Sequence, residues 1–173
     1  AEEVKGIAKT GRTHLMDAMP IDFSDELLAW SSQLSASRKM LSVIEERFLE
    51  LPQGGTAVGS GINAHKQFAK IFAQELTKLS GSNCKCVPSS NFFHELSAQD
   101  CSVQLSGELK NLAVILMKIS NDLRWMNSGP LAGLSEIELQ ALQPGSSIMP
   151  GKVNPVIPEA VTMVSADVIG NDV

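Results

Sequence analysis

The sequence predicts an all-α protein, a bundle of long helices that assembles with copies of itself. Three observations carry this. Apolar residues recur at steps of three, four and seven along two long stretches, the period of a helix that buries one stripe. No run alternates with period two, the mark of a half-buried strand. The second long stretch is apolar on several faces, and such a helix must be surrounded. In so small a chain the surrounding helices are expected to include other subunits.

The elements follow in order. Residues 24–51 form the first long helix, with Leu27, Trp30, Leu34, Leu41, Ile44, Phe48 and Leu51 along its seam. Only Ser37 interrupts that seam. A shorter helix is expected over 65–79, stopping at Gly81. The second long helix carries Leu105, Leu109, Leu112, Leu116, Ile119, Leu123 and Met126, with Val103, Ala113, Val114, Ile115 and Met117 on its other faces. A last helix begins at Pro155, with Asn154 as its N-cap and the proline as its first residue. These leucine stripes are core packing and carry no chemistry by themselves. Three loops separate them, 9–20, 52–63 and 127–155, and loops on a rigid scaffold are where function usually sits.

Bulk composition narrows the function classes. The chain has 173 residues, 43% hydrophobic and 19% charged, which suits one globular domain with a sizeable core. A net charge of −5 without a basic run argues against nucleic acid and anionic membranes as partners. No apolar stretch approaches the ~18 residues that span a bilayer. The opening AEEVKG is acidic and does not read as a signal peptide. Cys84 and Cys86 are one residue too close for the common CxxC spacing, and four zinc ligands are hard to assemble from three cysteines and three histidines. Reduced thiols in a cytoplasmic protein are expected. The chain starts without Met and stops inside an apolar pattern, so it is expected to be part of a longer protein.

The stretch QPGSSIMPGKVNPVIPEA, residues 143–160, is the richest in chemistry. It is not a phosphate loop: five residues separate Gly145 from Gly151 rather than four, and Val153 follows Lys152 where Ser or Thr is required. Nor is there a GxSxG elbow. The stretch does have the makings of an anion cradle. Ser146, Ser147 and the loop amides supply donors, Lys152 supplies a positive charge, and the helix that follows adds its positive end. A small carboxylate suits such a place; the plain alternative is a capped turn with a solvated lysine. His14, between Thr13 and Leu15, is a candidate proton carrier, against the plain alternative of a structural histidine, the reading given to His65 and His94. Glu159 lies in the first turns of the last helix, where its plain role is a favourable charge near the helix dipole. Gly54, Gly55, Gly59 and Gly61 read as a tight helix-to-helix connection rather than a binding loop.

TGRTHLMDAMP, GGTAVGSGINAH, LMKISNDLRWMNSGPLAGLSEIEL and PGSSIMPGKVNPVIPEAVTMV, in that order, resemble a class II fumarate hydratase of the fumarase/aspartase superfamily. GSSIMPGKVNP is specific to the superfamily; the choice of fumarate hydratase rests on the other stretches, and aspartate ammonia-lyases share the serine loop. The resemblance implies a homotetramer with a core of long helices, of which this chain is most of the central domain. It implies the fumarate–malate step of the tricarboxylic acid cycle, reversible anti addition of water to fumarate without metal or organic cofactor. Ser146 then matches the catalytic base, His14 the proton carrier, and Glu159 the glutamate that orients that histidine from another subunit. Thr13, Ser147, Lys152, Val153 and Asn154 match substrate-binding positions. A homologous aspartate ammonia-lyase and a non-catalytic helical oligomerisation module are the alternatives. Lys66–Gln67 and Phe23–Ser24–Asp25 depart from the family's usual wording at helix starts, away from the chemistry. The isolated chain is expected to be inactive, because segments that complete the site lie outside it.

Overall fold

After a single 3-10 turn at Glu2–Val4, the chain makes an antiparallel hairpin of β1 (Ala8–Thr13) and β2 (Met16–Asp22) and enters α1 (Phe23–Phe48). A two-residue strand β3 (Glu50–Leu51), α2 (Phe68–Ser80) and β4 (Val87–Pro88) come next, with β4 parallel to β3. Then follow a short α3 (Phe92–Ser97), α4 (Asp100–Met126) and α5 (Val156–Gly170). This computed structural model describes residues 1–81, 84–143, 145 and 147–173. α1 and α4, of 26 and 27 residues, each run about 40 Å at 1.5 Å per residue. Among the described residues no helix is long and apolar enough to cross a membrane. The chain divides into two units, Ala1–Ser37 with Leu109–Val173, and Arg38–Glu108.

In the first unit, Asp22 joins the hairpin to the start of α1. Its carboxylate accepts from the Ser24 backbone N–H at 2.8 Å and from the Ser24 hydroxyl at 2.7 Å. These bonds satisfy donors that a helix start leaves open, and hold the Asp22 carboxyl below its ordinary range. Each helix carries a pair of buried positions seven apart: Trp30 and Ser37, Ala113 and Ser120, Pro158 and Ser165. Lys118 caps the Trp30 ring at 5.7 Å, a cation–π contact. Much apolar surface stays outside. Leu28, Val114, Trp125, Ile157, Met163 and Val164 are each more than half exposed.

The second unit is a tight corner. Asn91 caps α3, its side-chain oxygen accepting from the Phe93 and His94 N–H groups. Gly59, at φ +107°, packs against Phe93 so closely that an added Cβ would lie 2.6 Å from the Phe93 nitrogen. Arg47 holds Asp100 at 2.6 Å and also bonds Gln104, while His94 approaches the other Asp100 oxygen at 3.1 Å.

The helix-dominated class stands, and four local expectations change. Residues 9–20 are mostly a hairpin, not a loop. No apolar alternation marks its strands, because the half-buried positions of β1 are Lys9, Gly11 and Arg12 and β2 leaves Met16 and Met19 about 70% exposed. α2 begins at Phe68, three residues later than expected, after a turn in which the Gln67 N–H donates to His65 Nδ1. α5 begins at Val156 with Pro155 in the cap position, so Asn154 stands one residue before the cap rather than at it. Leu51, expected at the end of the first helix, lies in β3 beyond the end of α1 at Phe48, while Ser37, which breaks the apolar seam, is at 2% exposure the most buried residue of α1.

Candidate active site

The hairpin carries His14 at its tip. Thr13 pairs with Met16, leaving His14 and Leu15 as a two-residue turn with φ of +54° and +63°. Such a turn usually takes Asn-Gly, because both positions are left-handed. A histidine and a leucine hold it here at a conformational cost, and the imidazole is presented on an exposed tip. Thr13 and His14 line a cavity of about 840 Å³. Its other walls include Asp25 and Glu26 of α1 and Lys118, Asp122 and Trp125 of α4.

A second cavity, about 460 Å³, lies where α4 ends and α5 begins. Lys152, Val153, Asn154 and Glu159 line one side; Asn121, Arg124, Asn127 and Ser128 line the other. Two cations therefore face this space with one carboxylate, at the N-terminal end of α5, a combination suited to a small dianion. Arg124 is steadied by Asn121, whose side-chain oxygen accepts from it at 3.0 Å. The loop before α5 folds back on itself. A Cβ on Gly145 would lie 2.7 Å from the Lys152 carbonyl oxygen, so glycine is required by close backbone approach. Lys152 N–H in turn donates to the Met149 carbonyl at 3.1 Å.

The residues expected from the sequence thus fall into two groups. Lys152, Val153, Asn154 and Glu159 share one cavity, Thr13 and His14 the other, and Trp125 lines both. Ser147 is exposed in the connecting loop. Ser146 lies outside the described residues. Within one chain His14 and Glu159 line different cavities. Asn121, Arg124, Asn127 and Ser128 were not singled out from the sequence; the signal available was the polar spacing of NDLRWMNS along the end of an otherwise apolar helix.

A family model described as lyase matches residues 1–170. The chain belongs to this lyase family. The lyase chain is 59% identical over 172 residues to a protein named fumarate hydratase class II 2 from Pseudomonas aeruginosa, covering 99% of this chain and 37% of that protein. It is 56% identical over 171 residues to the fumarate hydratase class II of Xylella fastidiosa strain Temecula1, covering 99% and 36%. The crystal structure of a class II fumarase from Schistosoma mansoni superposes with a TM-score of 0.90 at 38% identity, over 96% of this chain and 37% of that one. The chain spans little more than a third of the length of the curated relatives it matches.

In this lyase chain one further ionic cluster lies beneath the hairpin. Glu136, in the connection after α4, accepts from Arg12 Nη2 at 2.8 Å, and Lys9 Nζ lies 3.4 Å from its other oxygen. Lys9 also pairs with Glu26 of α1 and sits 5.5 Å over the Phe23 ring. Burial raises the affinity of the Glu136 carboxyl for its proton, but the Arg12 hydrogen bond and the two cations outweigh it and hold the group below its ordinary range.

Proposed function

We propose that this chain is the central helical part of a fumarate hydratase, which adds water reversibly across the double bond of fumarate to give (S)-malate. The observation that carries the reading is the cavity at the start of α5, where Lys152, Asn154 and Arg124 converge beside Glu159. The identity to named class II fumarate hydratases supports it.

The chemistry explains the residue types. Removing the proton from the carbon beside a carboxylate pushes charge into that carboxylate, which becomes a doubly charged aci-type species. The demand is for fixed donors and a cation where that charge develops. Lys152, Asn154, the loop amides and the positive end of α5 meet it. Ser147 and Thr13 add hydroxyl donors, and the Val153 backbone adds an amide. Ser146 takes the proton from carbon, and needs activation since a free hydroxyl is a poor base. His14 donates a proton to the departing hydroxyl as its C–O bond breaks, so that it leaves as water, and takes one from water in the reverse direction; Glu159 of another subunit orients its imidazole. That pairing needs a neighbouring copy of the chain, which a homotetramer supplies, and the exposed apolar faces of α1, α4 and α5 are the surface such an assembly would bury. A cytoplasmic location goes with this reading.

The test is Ser146→Ala in the full-length protein, with malate turnover followed as fumarate absorbance. Turnover should fall by roughly 10²–10⁴-fold with the tetramer intact; near-normal rates would remove Ser146 from the mechanism. Aspartate offered to the same enzyme separates an ammonia-lyase, since the two reactions differ only in the leaving group. The isolated chain of 173 residues should be inactive on both.

A further inference from the structure

We propose that Glu136 is a positioning residue for His14: its carboxylate fixes the hairpin onto the end of α4. This rests on the role proposed above for His14.

Both ends of Glu136 are engaged. Its backbone N–H donates to the Met126 carbonyl at 2.8 Å, and Ile137 N–H donates to the same oxygen at 3.2 Å. Met126 is the last residue of α4 and is buried, so these two bonds satisfy a carbonyl that the helix end leaves open. The neighbouring connection is tied to the same turn. Ser135 N–H donates to the Ser128 carbonyl at 2.8 Å, Leu134 N–H to the Ser128 hydroxyl at 3.0 Å, and Leu139 N–H to the Asn127 side chain at 2.8 Å. The Glu136 main chain is therefore fixed to the rim of the cavity that Asn127 and Ser128 line.

The side chain reaches the other way, to β1. In an unbroken strand, residues three apart point to opposite faces. Lys9 and Arg12 are three apart, the register shift between Thr10 and Arg12 lies between them, and both cations end on the one carboxylate. Arg12 stands two residues before His14. Its guanidinium bond is charge-assisted and mostly shielded, with the Glu136 side chain only 16% exposed, where such bonds hold geometry best. Without the carboxylate, Lys9 would keep Glu26 of α1, but Arg12, the cation nearer the tip, would lose the hydrogen bond that ties it to the connection after α4.

The test uses the full-length tetramer with Glu136→Gln, which keeps size and loses charge. Hydrogen exchange of the peptide covering residues 8–22 should quicken roughly tenfold while the helices keep their protection. kcat for malate should fall roughly 10- to 100-fold with KM nearly unchanged, as expected when a catalytic group is misplaced rather than removed. Glu136→Asp should recover part of both. Unchanged hairpin exchange in Glu136→Gln overturns the proposal, and so does faster exchange with undiminished kcat. If Glu136→Gln fails to assemble, Arg12→Gln carries the same two readouts. A wild-type enzyme inert on malate would sink the fumarate hydratase reading while the exchange result still decides the tether.

Discussion

Thr13 faces Met16 across the hairpin, and the two residues between them both hold a left-handed backbone, at φ +54° and +63°. The turn thus separates two properties of His14, its imidazole and its place in a strained bend. Asparagine accepts that conformation. His14→Asn should therefore keep the hairpin while lowering turnover by about 10²-fold or more. Leu15→Val does the reverse: a β-branched residue is unsuited to positive φ, and stability should drop by about 1 kcal/mol. Kinetics and thermal unfolding of the two variants check the pair. Loss of hairpin exchange protection in His14→Asn would contradict the separation.

Lys152 supplies the charge that a developing dianion needs. Lys152→Met in the full-length enzyme should lower kcat/KM by roughly 10²–10³-fold, mostly through kcat. A rise in KM with kcat unchanged would assign Lys152 to ground-state binding alone.

Asp100 links pH to stability. The Arg47 hydrogen bond first, then the His94 contact, lower its carboxyl from an ordinary 3.8 to about 2. A carboxylate lowered in the folded state stabilises above its unfolded value and loses that contribution as pH falls through the folded one. Between pH values of about 4 and about 2, the wild-type chain should therefore lose stability more steeply than Asp100→Asn. Denaturant midpoints across that window test it; parallel curves would mean that the Arg47 pair contributes nothing.

Gly59 is confined both by its φ of +107° and by the backbone of Phe93. Gly59→Ala should destabilise by about 2–3 kcal/mol, combining backbone strain with overpacking. A shift in the unfolding midpoint too small to measure would show that α3 moves aside freely.

Much of this protein was written in local pattern. The long helices were legible because burying one stripe of a helix imposes a period that needs no knowledge of the partner. Residues 143–160 stood out because Gly, Pro, Ser and Lys together break that period. Lys152, Val153, Asn154 and Glu159 lie close together in sequence, so one loop and one helix start gather them. The hairpin was not legible because the shielded positions of β1 are Lys9, Gly11 and Arg12 rather than apolar residues, and the methionines of β2 face outward. Asp22, rather than any residue of the apolar seam, caps α1, and Ser37 is buried in that seam because position on the helix outweighs polarity there. The tertiary structure alone decided that Glu136 meets Arg12 across 124 positions of sequence. It alone brought Arg124 and Asn121 to the cavity beside α5, and set Thr13 and His14 in another. Local sequence encodes period and turn chemistry, whereas long-range pairing follows from how the elements pack, and no local pattern records it.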